Sequence, residues 1–217
     1  MQKPDIYSLS IVLLGNFNPI IINPHWLELK GLIRASDKDQ EGIIEVVHPE
    51  VSKFDLSFAK IQVTKDRFQL DCYNEAEFIL CKDLVISIFR YLAETPIRGI
   101  GINHTRHFKL KDVNEFKKFG HWLVPVEPWN DDLKEPGVLE LKMVENENPD
   151  AKVRNTVIIS PSGVVRPLGV SFQLNYHIHF DRISDATVDG TIEKHWELSA
   201  VKAMNLYENI LKRFQNE

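Results

Sequence analysis

The sequence predicts an α+β protein: a largely antiparallel sheet with two long helices packed on one of its faces. Three observations carry that expectation. Segments with an apolar residue at every second position recur along the chain, as half-buried strands require. Two other stretches space their apolar residues by three or four. One holds Phe78, Cys81, Val85, Ile88, Phe89 and Leu92, the other Ile192, Trp196, Ala200, Ala203, Tyr207, Ile210 and Phe214, and each is the stripe of a helix lying on a core. The order strand, short helix, three strands, long helix is met twice. Neither unit can bury its apolar face alone, so the two are expected to share one sheet.

The first unit opens with a strand over Tyr7 to Leu14. Asn23-Pro24 then supplies an N-cap with proline at the first helical position, and Gly31 stops the short helix through Trp26, Leu27 and Leu29. Residues 35–42 are a polar loop, and Ile43 to Val47 is a short strand. Phe54, Leu56 and Phe58 alternate with polar residues, while Ile61 and Val63 fall out of phase with them. The expectation is one strand with a bulge near Lys60. Lys65-Asp66 turns the chain into Arg67 to Tyr73, with Phe68, Leu70 and Cys72 on one face and Arg67, Gln69, Asp71 and Tyr73 on the other. Asn74 and Glu77 fit a capping box for the first long helix, which Thr95-Pro96 ends.

The second unit opens with a strand from Arg98 to Leu110. Asp112 and Glu115 form another capping box ahead of a short helix with Phe116 and Phe119. Val138 to Val144, Thr156 to Ser160 and Val170 to Phe180 are strands, with Pro161-Ser162-Gly163 as a turn between the last two. The second long helix runs from about Asp189 to the end. Phe68-Gln69-Leu70-Asp71 is echoed by Phe172-Gln173-Leu174-Asn175, each on the strand before a long helix. Residues 1–217 are therefore read as a single domain of two pseudo-repeats, about 5–95 and 97–215.

Several of these segments resemble a sporadically distributed family of uncharacterised bacterial proteins. The resemblance rests on Ile61 to Leu70 with its Gln62 and Asp66-Arg67, on the Gly101-Ile102-Asn103-His104 strand with Phe108, and on the terminal strand and aromatic helix from Asn175 to Phe214. His104 stands where the family usually has an aromatic. The resemblance implies a bacterial, cytoplasmic protein and transfers no catalytic residue. At the level of fold, the layout is similar to the tandem units of TATA-binding-protein-like saddles and helix-grip folds, a likeness that does not fix function.

Composition excludes other classes. The chain has 26 Lys and Arg against 31 Asp and Glu, a net charge of −5. That balance argues against a broadly basic nucleic-acid surface. No apolar run approaches the roughly 20 residues that span a bilayer, so no membrane partner is expected. The N-terminus lacks the pattern of a secretory signal. Cys72 and Cys81 cannot build a disulfide framework, fit inert core thiols and suit a cytoplasmic setting.

Candidate chemistry concentrates on the polar faces of strands. In Val170 to Asp181, Gln173, Asn175, His177, His179 and Asp181 point away from the apolar face. His177 and His179 lie side by side at a spacing compatible with one metal ion, and His107 on the other unit's strand is a candidate third ligand. A divalent ion is the one cofactor these residues suggest. His104 and Arg106 fall among the apolar positions, where a buried histidine with a carboxylate partner is expected. No nucleophile elbow or phosphate loop occurs. Trp129, on the proline-rich loop from Pro125 to Pro136, either pins that loop or contacts a partner.

The preferred reading is a non-enzymatic binding or assembly module. Its contact surface would be the polar sheet face around Gln69, Asp71, Tyr73, Asn175, His177 and His179, with Trp129 beside it, and its partner another protein or a second copy. The alternatives are a metal-assisted hydrolase built on His177, His179 and His107, and a nucleic-acid-binding saddle. The saddle is disfavoured by net charge and by a face on which Asp71 and Asp181 balance Arg67 and Lys109.

Overall fold

The computed structural model describes residues 3–38, 45–145, 151–181 and 187–217. The chain forms one nine-stranded sheet in which every neighbouring pair is antiparallel. In chain order the strands are β1 (Ile6–Gly15), β2 (Glu45–Val47), β3 (Val51–Asp55), β4 (Lys60–Thr64), β5 (Arg67–Cys72), β6 (Ile97–Lys109), β7 (Leu141–Glu145), β8 (Val153–Pro161) and β9 (Gly169–His179). The helices are α1 (Pro24–Leu29), α2 (Phe78–Tyr91), α3 (Val113–Leu123) and α4 (Val188–Gln215). Across the sheet the order is β2-β3-β4-β5-β1-β6-β9-β8-β7. No helix among the described residues is long and apolar enough to cross a membrane.

Local chemistry explains most element ends. The Asn23 side chain accepts from the Trp26 N–H at 2.9 Å, and Pro24 follows at the first helical position, where its missing N–H costs nothing. Gly31, two residues past α1, has φ +67, a backbone that L side chains rarely adopt. Asp112 caps α3 by accepting from the Glu115 N–H at 2.9 Å, and Glu115 reaches back to the Lys111 N–H. Asn74 does something different from the expectation. It accepts from the Ala76 N–H and caps a single 3₁₀ turn, after which α2 begins at Phe78.

The stretch from Phe54 to Val63 is a hairpin and not a bulged strand. Leu56 N–H donates to the Ala59 carbonyl at 2.7 Å and closes a tight turn between β3 and β4. Reversing the chain restarts the alternation, so Ile61 lies opposite Phe54 and Val63 opposite Ser52 on one buried face. The phase jump in the sequence was the turn itself. As a result, among the described residues four strands separate α1 from α2, whereas three separate α3 from α4. Residues 39–44 lie outside the described residues, and with them parts of the expected polar loop and of the strand at 43–47.

The main core forms beneath the helices. Leu9, Ile11 and Leu13 of β1 lie opposite Cys72, Leu70 and Phe68 on one side and His104, Ile102 and Ile100 on the other. Onto this surface α2 lays Cys81, Val85, Ile88 and Phe89, and α4 lays Ile192 and Trp196, so residues from both ends of the chain share one cluster. A second, aromatic cluster joins β6, β9, α3 and α4: Phe108 stacks on Phe172 at 5.1 Å, and Phe119 meets Phe214 edge-on at 5.0 Å. Cys72 and Cys81 are free and fully buried, and contact with Cys72 together with burial pushes the Cys81 thiol up.

Candidate binding face

The helices sit on the face bearing Leu9, Ile11, Ile100 and Ile102, which leaves the opposite side chains of the strands without a covering layer among the described residues. Strand alternation and register assign that face without ambiguity. One row across the sheet runs Lys53, Gln62, Gln69, Val12, Gly101, His177, Arg154. The next runs Asp55, Lys60, Asp71, Ser10, Asn103, Asn175, Thr156. The expected residues Gln69, Asp71, Asn175, His177 and His179 therefore do share one surface. Tyr73, immediately after β5, continues the parity of Asp71 and is 61% exposed.

The middle of this surface is low. β1 and β6 contribute Ser8, Ser10 and Val12, and Gly99, Gly101, Asn103 and Thr105, all short, while longer side chains rise on both flanks. Two side chains fold into the space the glycines leave. A Cβ on Gly99 would lie 2.8 Å from the His177 ring, and a Cβ on Gly101 would lie 3.4 Å from Asn103 Oδ1. Asn103 is consequently 7% exposed, and its Oδ1 finds no donor. On the flank, Gln69 Nε2 donates to both Asp71 oxygens at 2.8 Å, and Lys60 pairs with Asp55 at 3.3 Å.

The charge on this face is not balanced. Lys53, Lys60, Arg67, Lys109, Lys142 and Arg154 project from its strands, against Asp55 and Asp71 alone among the described strand residues. Asp181 lies beyond β9 and pairs with Lys152 at 3.9 Å. Lys53, Arg67, Lys142 and Arg154 have no ion-pair partner among the described residues. The expectation of near neutrality missed Lys53 and Lys60 because the β3–β4 hairpin was read as one strand. Lys142 and Arg154 join the face only through the pairing of β7 with β8 and of β8 with β9. Alternation in Val153–Pro161 was the signal that could have found Arg154.

The histidines do not converge as expected. His107 lies opposite Ser171, whereas His177 lies opposite Gly101, six residues away along β6. At about 3.4 Å per residue that is roughly 20 Å, so His107 cannot share an ion with His177. Among the described residues no group of three or more His, Cys, Asp or Glu side chains could hold a metal ion. His107 has another partner: Ser162 Oγ, which accepts from the Val165 N–H at 2.8 Å, shares a hydrogen bond with His107 Nδ1 at 2.9 Å. Burial, then the neighbouring His179 and Arg154, lower the pKa of His177.

His104 lies under the helices as its parity required, but its partners are hydroxyls and not a carboxylate. Ser199 Oγ donates its proton to the Trp196 carbonyl at 2.8 Å, so His104 Nε2 must be the donor to Ser199 at 3.0 Å. His104 Nδ1 then accepts from the Tyr7 hydroxyl at 2.8 Å. Burial, reinforced by Arg106, lowers this imidazole to about 3 and keeps it neutral. With every proton committed and Ser199 fully buried, the chain of hydroxyls and imidazole is structural. Arg106 stacks over the Tyr7 ring at 4.1 Å.

Trp129 is not part of the open face. It ends a 3₁₀ turn after α3, 52% exposed, between Val126 and Asn130, which line a separate cleft beside α3. No family model matches the chain, and no curated protein matches it.

Proposed function

We propose that the protein is a non-catalytic binding module that receives an acidic protein surface on the uncovered face of its sheet. The observation that carries this reading is the sign of the charge: among the described strand residues six cations to two anions project from that face, in a chain whose net charge is −5. Arg67 and Arg154 stand on opposite flanks, four strand spacings and therefore about 19 Å apart, which suits a broad partner better than a small molecule. Complementary charge of this kind steers association and fixes orientation. A protein is favoured over single-stranded nucleic acid because Tyr73 is the one exposed large aromatic on the face among the described residues, and stacking platforms need several.

The test is fluorescence anisotropy with three labelled probes of matched charge: a poly-glutamate peptide, a single-stranded RNA and a DNA duplex. Each is titrated with the full chain at about 50 mM and about 200 mM salt. The poly-glutamate peptide should bind tightest, weaken with salt, and weaken at least ~10-fold further when Arg67→Glu and Arg154→Glu are combined. Thermal unfolding of that variant should match the parent. Tighter binding of either nucleic acid would overturn the protein reading in favour of a nucleic-acid saddle. Failure of all three probes, or indifference to the double charge reversal, would remove the face as a docking surface.

A further inference from the structure

Apart from the open face, the described residues contain a cleft of ≈ 760 Å³ between α3, the loop that follows it and the ends of β8 and β9. Its walls are apolar, with Phe116, Phe119, Val138, Leu139 and Ile159 among them. A volume in this range, lined by apolar groups with a few polar ones, is characteristic of small-molecule sites. Three features show that folding alone does not account for it.

The first is Gly120, inside α3 and on the wall of the cleft. Glycine is the poorest helix former after proline. Its usual justifications are absent here, because its φ is ordinary and a Cβ at that position would meet nothing within 4 Å. What the glycine does accomplish is to leave the cleft unfilled. The second is Leu139, which lines the cleft yet stays 83% exposed, with Val113 at 55% on the opposite wall. The third is polar. Lys117 on α3 faces Glu135 at the mouth at 3.8 Å, both side chains largely exposed. Glu135 holds φ +53 and is the one non-glycine residue with positive φ among those described. An L side chain adopts that backbone under strain, and such strain collects at ligand clamps.

We infer that this cleft binds a small apolar monocarboxylate. The apolar body lies between α3 and the Pro136–Leu139 segment, and the carboxylate takes Lys117 in place of Glu135. Charge selects the class. The ion pair at the mouth is long and loosely held, so a ligand carboxylate can replace one acceptor with another without burying an unpaired cation. The same exchange releases Glu135 from the contact that accompanies its strained backbone.

Octanoate and octanol, titrated separately into the full chain up to roughly 1 mM and followed by amide chemical shifts, test the inference. Octanoate should move the signals of Phe119, Gly120 and Leu139 and bind at least ~10-fold tighter than octanol. Lys117→Met should erase that difference while leaving octanol affinity unchanged. Gly120→Leu fills the empty space with a better helix former, so it should raise the melting temperature and abolish binding of both probes. Equal affinity for acid and alcohol in the parent chain would overturn the assigned ligand class. Absence of shifts with either probe, or binding that survives Gly120→Leu, would overturn the site.

Discussion

Beneath α2 the sheet presents Phe68, Leu70 and Cys72, and the helix answers with Cys81, Val85, Ile88 and Phe89. Beneath α4 it presents His104, Arg106 and Tyr176 among its apolar residues, and the helix answers with Ser199, His195 and Tyr207. Dispersion and the hydrophobic effect, which are non-directional, seat the first helix. The second is also indexed by hydrogen bonds: His104 to Ser199 at 3.0 Å and Tyr176 to His195 at 2.9 Å. Shifting α4 by one residue would turn its apolar stripe roughly 100° off the core and would also strand buried polar groups, each worth about 1–3 kcal/mol. Two helices on one face of one sheet thus differ in kind: both bury apolar surface, and α4 adds directional contacts that fix its position.

The largest expected effect lies on the apolar side. Phe68 is fully buried and meets Phe89 edge-on at 5.1 Å. Phe68→Ala removes that ring from the centre of the packing and should cost about 3–5 kcal/mol. Urea unfolding at several pH values would show the loss, and it should be nearly independent of pH because no ionisable group is involved. A cost below about 1 kcal/mol would mean that α2 can settle into the space and that the packing under it is looser than its burial indicates.

The pH dependence belongs to the other helix. An unfolded histidine titrates near 6.5, and His104 in the fold titrates at about 3. Between those values the unfolded chain takes up a proton that the folded protein refuses, so stability falls as pH is lowered from about 6.5 toward 3, by at most ~1.4 kcal/mol per pH unit from this group. His107, His177 and His195 are also lowered by burial and contribute with the same sign. His104→Leu should cost roughly 1–3 kcal/mol at neutral pH, because it leaves the Tyr7 and Ser199 hydroxyls without their partner. It should also visibly flatten the acid limb of the stability curve. If the limb keeps its slope in the variant, His104 is not the group that acid attacks.

The division between the helices was half legible in the sequence. The α2 stripe follows from spacing alone, since every partner it needs is apolar and any apolar residue will serve. The parity of His104 placed it under a helix equally well. Its partners were hidden because they lie 97 and 95 residues away in the chain and are hydroxyls, whose sequence signal is no different from that of a surface serine or tyrosine. The same limit applied to the open face. Alternation within β5 and β9 displayed Gln69, Asp71, Asn175 and His177, but charge is a property of the whole face and needs every strand in register. One misread turn between β3 and β4 was enough to hide two lysines, and a net charge of −5 pointed the wrong way about a surface that is locally basic. Separating His107 from His177 required the pairing of β6 with β9, which no single-strand pattern contains.

The smallest effect tests where indexing by polar contacts ends. Lys202 on α4 reaches Glu145 of β7, and Glu145 also accepts from Asn155 Nδ2 at 2.6 Å. The lysine and the carboxylate keep 38% and 50% of their side-chain surface exposed, so water competes for both charges. The Lys202 hydrogen bond and then that of Asn155 hold the Glu145 carboxyl below its usual range, yet for groups this exposed the shift translates into little stability. Lys202→Ala should therefore cost no more than about 0.5 kcal/mol, less still at high salt, and should leave the acid limb unchanged. Asn155→Ala, which removes a 3%-exposed amide from under the same carboxylate, should cost more. A reversed order would place the energetic anchor of α4 at its exposed rim, and the helix would then be held from outside by charge and not from within by the His104 chain.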